Sequence, residues 1–227
     1  MYALYIANKN YSSWSLRPWT MMRALDIDFE ERMRPFAQGL DATPRDFSPS
    51  GKVPCLDDGG LLIWDSLAIV EYLAERHAGV WPADATARAF ARCAAAEMHS
   101  GFQALRNECP MSIGLTIEKP TLSPALSFDI ERLTSLWNEG LERFGGPFLA
   151  GHEFTAADAF FTPVAFRVRT YGLPLNATAA DYVTRLLDLP SMQEWAASAL
   201  MEPWREPGHE AEAQAAGALL EDRRTSA

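Results

Sequence analysis

The sequence predicts a chain of two parts, a mixed α/β part followed by an all-helical part. Its 227 residues, 48% of them hydrophobic, are enough to build one large core or two modest ones. Up to about Arg76 the segments are short and alternate between strand-like and helix-like hydrophobic spacing, whereas the later segments have helical spacing almost throughout. We find no internal repeat, which favours a globular protein over a solenoid.

The first part is predicted to run β-α-β, loop, β-β-α. The stretch "YALYIA" alternates like a strand, "SLRPWTMMRAL" has helical spacing, and "FEERMRPF" is extended again. After a turn-rich loop, "KVPCL" and "LLIW" flank "DDGG", whose Asp-Gly pair is typical of a hairpin. The stretch "DSLAIVEYLAERH" completes the unit as a helix, with Asp65 or Ser66 at its N-cap.

The second part is predicted to be a helical bundle. The Gly, Pro and Asp of "HAGVWPADA" indicate a linker, 78–86, between a first domain of 1–77 and a helical domain of 87–204. Thr155 and Asp158 have the spacing of a capping box at the start of a helix that is apolar on nearly all sides and ends at Gly172. The predicted helices span 84–108, 124–144, 155–172, 178–188 and 191–200. The polar, Ala-rich remainder, 205–227, is predicted to be a loose or only partly helical, flexible tail.

Composition narrows the classes of partner. The formal net charge of -10 disfavours the phosphate neutralisation by a basic surface that drives nucleic-acid binding, so we expect no nucleic-acid partner. No apolar run is long enough to cross a bilayer, and the N-terminus lacks the basic flank of a signal peptide. We therefore expect a cytoplasmic protein without a membrane partner.

Cysteines and histidines indicate neither a disulfide framework nor a metal site. The number of cysteines, three, is odd, and no C-x-x-C spacing occurs. The four histidines are scattered without the short-range spacing of metal ligands. We expect reduced thiols and no metal.

The turn "SSWSLR" between the first strand and the first helix is rich in hydroxyl groups. Ser12, Ser13 and Ser15 could simply cap the helix, which is the commoner role of serine before an apolar-periodic run. A serine at a helix N-terminus can also hydrogen-bond an anion that the free backbone N–H groups attract. From the turn alone, both interpretations stay open.

Three separated motifs resemble the glutathione transferase superfamily: the serine-rich turn, "SPSGKVPCL" with "WDSLAIVEYL", and "FLAGHEFTAADAFFTPV". The resemblance covers the chain from Tyr2 to about Trp204. It implies a thioredoxin-like N-terminal domain that binds glutathione, a helical domain that shapes the second-substrate pocket, and a homodimer. The turn looks most like the "SSCS" turn of serine-type, zeta-class members, with Trp14 in place of the cysteine.

The resemblance implies which serine activates the thiol. Counting back from Arg17, the zeta pattern places the catalytic serine five residues earlier, at Ser12, and other serine-type classes place it at Ser13. We favour Ser12 and expect Ser13 to serve the helix N-terminus. Tyr11 is a minor alternative, by analogy with tyrosine-type transferases.

It also implies the residues that hold the rest of glutathione. A cis Val53-Pro54 bond would turn the backbone of Val53 outward to pair with the peptide as an added strand does. Lys52 would contact the glycine carboxylate, although a solvated lysine is as good an interpretation. Asp65 would lie near the α-ammonium and Ser66 would hold the α-carboxylate, while both also cap the helix.

The expected function is therefore conjugation of glutathione, as co-substrate, to a small hydrophobic electrophile in a detoxification role. Two alternatives stay open. One is a glutathione-dependent isomerase, similar to maleylacetoacetate isomerase, or a peroxidase. The other is a non-catalytic interaction module of the same fold whose glutathione site has decayed.

The homodimer is a testable expectation. Two packed domains of this size should leave apolar area that a second copy covers. Light scattering at micromolar concentration should therefore return about twice the chain mass of 25.2 kDa. A monomer at every accessible concentration would contradict the expectation.

Overall fold

The chain begins with the predicted α/β unit. The computed structural model describes residues 1–36 and 46–225, so part of the predicted loop after the second strand, 37–45, lies outside the described residues. The elements of the unit are β1 (Tyr2–Ile6), α1 (Ser13–Ala24), β2 (Phe29–Met33), β3 (Cys55–Asp58), β4 (Leu61–Trp64) and α2 (Ser66–Ala74). Their order confirms the β-α-β-β-β-α prediction.

The four strands form one sheet in the order β2-β1-β3-β4. Strand β1 runs parallel to β2 and antiparallel to β3, and β3 and β4 form an antiparallel hairpin. Gly59 and Gly60 turn this hairpin with φ of 61° and 99°, a left-handed backbone that favours glycine. The backbone N–H of Gly60 donates to a carboxylate oxygen of Asp57 at 2.7 Å. The Asp-Gly hairpin is confirmed, and the unit has the thioredoxin-like arrangement.

Helices dominate the second part. They are α3 (Ala85–Ser100), α4 (Gln103–Glu108), α5 (Pro124–Phe144), α6 (Ala156–Tyr171), α7 (Ala177–Leu187) and α8 (Pro190–Met201). The single helix predicted over 84–108 is wrong at one point, because Phe102 adopts a left-handed backbone with φ 58° and separates α3 from α4. This conformation buries the Phe102 ring in the core. A short strand that the sequence did not indicate, β5 (Leu115–Glu118), follows α4.

Helix α6 lies at the centre of the molecule. Nearly all of its side chains are buried, and it packs against α1, α3 and α7. Its first turn is fixed by Asp158, whose carboxylate accepts the backbone N–H groups of Leu149 and Thr155 and the hydroxyl of Tyr182, each at 2.9 Å. The predicted capping box between Thr155 and Asp158 is therefore present, and its role is structural.

The C-terminal segment, predicted to be loose or only partly helical, is partly helical and also contains a strand that the sequence did not indicate. It forms helix α9 (Pro207–Ala216) and strand β6 (Ala218–Asp222), and β6 pairs antiparallel with β5. The guanidinium of Arg224 joins the two elements, since it contacts Glu210 at 2.5 Å and Asp222 at 2.8 Å. The pairing partner lies about a hundred residues away in the chain, so local composition could not indicate it.

Among the helices of the two described ranges, none combines the length and the apolar character needed to span a membrane.

Replacing Asp158 should destabilise the fold. In Asp158→Ala, the N–H groups of Leu149 and Thr155 and the hydroxyl of Tyr182 stay buried without an acceptor. We expect the free energy of unfolding to fall by about 3 kcal/mol or more, measured by urea denaturation. The matched control, Asp181→Ala on the exposed face of α7, should change it by less than about 0.5 kcal/mol. Equal losses in the two variants would contradict this role of Asp158.

Candidate functional site

The turn that follows β1 places hydroxyl groups at the N-terminus of α1. The backbone N–H groups of Tyr11 and Ser12 donate to the carbonyl of Asn8 at 3.1 and 2.9 Å, which closes the turn. Ser12 is the N-cap of α1, but its side chain makes no capping hydrogen bond. The simple capping interpretation of the serine-rich turn is therefore wrong for Ser12, and its hydroxyl is directed elsewhere.

Ser12 and Ser13 both line a cavity of about 390 Å³ that lies between the two parts of the chain. The hydroxyl of Ser12 donates to the hydroxyl oxygen of Ser15 at 2.7 Å, and that oxygen also accepts the backbone N–H of Ala7 at 3.4 Å. In residues 1–36 and 46–225, the hydroxyl of Ser13 has no hydrogen-bond partner. The cavity therefore has two hydroxyl groups at the positive end of the α1 dipole.

Two other predicted site residues, Lys52 and Val53, line the same cavity. Lys52 is exposed and Val53 is half-buried at the approach to β3. The peptide bond between Val53 and Pro54 is cis, as the resemblance to the superfamily implies.

Asp65 and Ser66 lie at the N-terminus of α2 and do not line this cavity. Asp65 is the N-cap, and its carboxylate accepts the backbone N–H of Leu67 at 2.8 Å and lies 3.5 Å from a ring nitrogen of His99. Its φ of 76° is unusual for a residue with a side chain and costs about 1–3 kcal/mol. The hydroxyl of Ser66 is buried without a partner among the described residues. The N-terminus of α2 thus contains a buried hydroxyl that has no hydrogen-bond partner among the described residues.

One wall of the cavity carries a cluster of arginines that sequence reasoning missed. Arg106 and Arg167 line the cavity, and Arg17 is buried behind them with its guanidinium 4.1 Å from the centre of the Trp14 ring. None of the three nitrogens of Arg17 has a hydrogen-bond partner within the described part of the chain. Burial lowers the pKa of Arg17, and the charges of Arg106 and Arg167 lower it further.

Burial also lowers the pKa of Arg167 to about 10, helped by the charge of Arg106. Arg167 donates to the carbonyl of Cys109 at 2.8 Å, and Arg106 donates to the carbonyl of Gly101 at 2.9 Å. Among the ion pairs of the described residues, none joins a carboxylate to any arginine of this cluster. This wall of the cavity is therefore a concentration of positive charge that favours an anion.

The C-terminal segment covers the opposite side of the cavity. His209 and Glu212 of α9 line it, and the ring of His209 stacks between those of Tyr11 and Phe36, with 4.9 Å between centroids in each pair. These contacts connect positions that are about two hundred residues apart. No local pattern in the alanine-rich tail distinguishes them, so the sequence offered no signal for their role.

Tyr11 is engaged in holding this segment. Its hydroxyl donates to Glu210 at 2.5 Å and accepts from Arg224 at 3.3 Å. Burial raises the pKa of Tyr11, and the hydrogen bond to Glu210 raises it further. Tyr11 is therefore a poor candidate for the thiol activator, because its proton is already donated to a carboxylate.

A second set of long-range hydrogen bonds holds the serine turn in place. The carboxylate of Glu202 accepts the backbone N–H groups of Lys9 at 2.7 Å and Asn10 at 3.3 Å. The side-chain amide of Asn10 donates to the carbonyl of Ala199 at 2.6 Å and accepts from the N–H of Gly114 at 3.2 Å. The turn is thereby fixed from the helical part of the chain.

The described residues contain no group of three His, Cys, Asp or Glu side chains that could hold a metal ion.

Comparison with known proteins gives matches to one family model and to several relatives. Residues 11–76 match the family model of the glutathione S-transferase N-terminal domain. The chain is 30% identical over 157 residues to a glutathione S-transferase of the zeta class from Euphorbia esula, which covers 67% of this chain and 70% of the relative. It is 28% identical over 194 residues to a probable maleylacetoacetate isomerase from Caenorhabditis elegans, covering 83% of this chain and 89% of the relative.

Solved structures of glutathione transferases also resemble the fold of this chain. A glutathione transferase homolog from Burkholderia gl BGR1, solved with bound glutathione, superposes with a TM-score of 0.67 at 25% identity and covers 87% of this chain and 97% of that one. The sheet, the serine turn and the helical part thus define a protein of the glutathione transferase fold. The chain belongs to the glutathione transferase superfamily.

The ion pairs of Arg224 should control how firmly the C-terminal segment closes the cavity. In Arg224→Gln the bonds to Glu210 and Asp222 are lost, so we expect local opening of β5 and β6 to become easier by about 1.5–3 kcal/mol. Hydrogen exchange should show the amides of the β5–β6 ladder exchanging roughly 10- to 100-fold faster. The control Arg143→Gln removes an exposed pair with Glu139 and should leave this exchange unchanged. Unchanged exchange in Arg224→Gln would contradict the prediction.

Proposed function

We propose that the protein is a glutathione-dependent transferase that binds the thiol of glutathione against the Ser12–Ser13 turn. The observation that carries the proposal is the position of two serine hydroxyls at the N-terminus of α1, facing the same cavity as Lys52 and Val53. Membership of the superfamily and the glutathione-bound relative support it.

The chemical task is to stabilise a thiolate. A thiol with an ordinary pKa of about 8.5 is only about 3% ionised at pH 7, and the thiolate is the nucleophile. Lowering the pKa by about 1.5 units requires about 2 kcal/mol of preference for the anion. A hydroxyl that donates to a charged group contributes about 1.5–3 kcal/mol, and a helix N-terminus about 0.3–1 kcal/mol. The two effects together suffice without a general base.

Ser12 is our candidate for the donor to the thiolate, and the hydrogen bond to Ser15 supports this choice. In the absence of an anion, Ser12 donates to Ser15. When an anion is present, the hydrogen bond between these two hydroxyls can reverse its direction, so that Ser15 donates to Ser12 and Ser12 donates to the sulfur. No hydrogen bond is lost in the reversal, and a chain of two hydroxyls polarises its terminal donor. Ser13, whose hydroxyl has no bond to give up, is the second candidate.

The remaining candidates would hold the ends of glutathione. The backbone of Val53 can pair with the cysteinyl part in the manner of an added strand, and Lys52 can reach the glycine carboxylate. The free N–H groups at the start of α2 and the unpartnered hydroxyl of Ser66 suit the α-carboxylate, while the carboxylate of Asp65 suits the α-ammonium. The buried hydroxyl of Ser66, which has no partner among the described residues, supports this assignment.

The arginine wall favours a second candidate function, a glutathione-dependent isomerase acting on an acidic substrate. Two of the relatives described above bear on this choice: one is a zeta-class transferase and the other a probable maleylacetoacetate isomerase. A second substrate with a carboxylate would pair with Arg106 and Arg167, while Trp14 and Met111 offer apolar contacts. Conjugation of a hydrophobic electrophile and isomerisation of an acid therefore use the same thiolate and differ in the second substrate.

The serine variants test the proposal. In Ser12→Ala the bound thiol loses one charge-assisted hydrogen bond, so its pKa should rise by about 1–2 units. The ultraviolet absorbance of the bound thiolate should therefore appear at correspondingly higher pH, while glutathione binding weakens much less. Ser13→Ala is the matched comparison and should leave the titration nearly unchanged.

Three outcomes would change the account. A shift of the titration in Ser13→Ala alone would assign the role of donor to Ser13 and not to Ser12. No shift in either variant would exclude serine activation, and absence of glutathione binding to the wild type would favour a non-catalytic module.

A further inference from the structure

His209 and Glu206 form a carboxylate–imidazole pair at the mouth of the cavity. One oxygen of Glu206 lies 2.6 Å from Nδ1 of His209 and also accepts the backbone N–H of His209 at 2.7 Å. Because a carboxylate accepts, Nδ1 carries a proton in this pair and the other ring nitrogen, Nε2, is left for a different partner. In the described residues Nε2 has no hydrogen bond, and His209 lines the cavity.

The imidazole is held in a fixed plane. Its ring stacks between Tyr11 and Phe36, with interplanar angles of 20° and 22°. Tyr11 is itself fixed by Glu210 and Arg224, so the stack depends on the C-terminal segment being closed. A titratable ring with one nitrogen paired, its plane fixed and its other nitrogen free has the arrangement that general acid–base catalysis requires.

We propose that His209, oriented by Glu206, is the proton donor to the second substrate. This inference rests on the proposed function, because the same cavity must hold the thiolate at Ser12 and Ser13. It assigns Glu206 as a positioning residue that acts through His209. The substrate class it implies is an alkene conjugated to a carbonyl group, to which a thiolate adds.

This addition needs a proton donor, because the product carries one proton that the thiolate does not supply. Bound glutathione supplies the thiolate, whose sulfur forms a bond to the β-carbon as the carbon–carbon π pair moves onto the conjugated carbonyl. The protonated imidazole of His209 gives its Nε2 proton to the resulting enolate, and water returns a proton to Nε2 afterwards. Substitution of chloride on an aromatic ring needs no such proton, because the leaving anion departs as chloride.

Other charged groups lie near His209, and the experiment must distinguish their effects from the effect of His209. Glu206 and Tyr11 contact the ring directly, Glu210 and Arg224 bind the Tyr11 hydroxyl, and the same cavity is lined by a further set of charged side chains. That set consists of Glu212 on α9, Arg34 after β2, Lys52 before β3, Arg106 and Arg167. All of them remain in a His209 variant, so a loss in that variant that is confined to addition belongs to His209.

The experiment compares two reactions of glutathione with the full chain. Benzylideneacetone reports addition, which needs the proton, and chlorodinitrobenzene reports substitution, which does not. His209→Phe keeps an aromatic ring between Tyr11 and Phe36, and His209→Gln provides a smaller polar replacement. His152→Gln, at an exposed position, is the matched control.

We expect both His209 variants to lower kcat for addition by about 100-fold while changing substitution by less than about 3-fold. Glu206→Gln should lower addition by roughly 10-fold and leave substitution unchanged. Calorimetry should show glutathione binding unaltered in every variant.

Several results would overturn the proposal. Equal losses in both reactions would make His209 structural, and an unchanged addition rate would remove it from catalysis. A wild type that binds glutathione without catalysing addition would refute this inference and leave the proposed function standing. A wild type that does not bind glutathione would refute both.

Discussion

The buried backbone of the turn after β1 is the constraint on which the site depends. Asn8, Asn10 and Ser12 are almost wholly removed from solvent, so the N–H groups of this turn must find acceptors inside the protein. The carbonyl of Asn8 supplies one acceptor within the turn, and the carboxylate of Glu202 supplies another from the far end of the chain. Burial raises the pKa of Glu202, and the hydrogen bonds from the backbone of Lys9 and Asn10 offset only part of this rise. The serines therefore reach their positions only when both parts of the chain pack together.

The two sides of the cavity follow from that packing. The α/β unit supplies hydroxyls at a helix N-terminus, which suit a sulfur anion, and α4 and α6 supply Arg106 and Arg167, which suit an acidic or polarised second substrate. Helix α9 closes the third side through the stack on His209. In the function we propose, the first of these sides binds the thiol and the other two contact the second substrate.

Features fixed by local interactions were predictable from the sequence. The Asp-Gly hairpin, the capping box of α6 and the order of the first six elements each depend on residues close together in the chain. The break at Phe102 was not predictable, because its left-handed backbone is stabilised by burial of the ring against distant residues. The same holds for His209, Arg106 and Arg167, which converge from separate helices, and for β6, whose partner strand had no signal of its own. Sequence reasoning predicted Ser12, Ser13, Lys52 and Val53, which line the cavity, and missed the arginines and the histidine that line its other sides.

Proton release on binding glutathione tests the central claim most directly, because the claim is that the turn stabilises a thiolate. Calorimetric titrations at pH 7 in two buffers of different ionisation enthalpy give the number of protons released per glutathione bound. If the bound thiol has its pKa lowered by about 1.5 units, to about 7, the account predicts one site per chain and release of roughly half a proton. Binding without measurable proton release, or no binding at all, would contradict it.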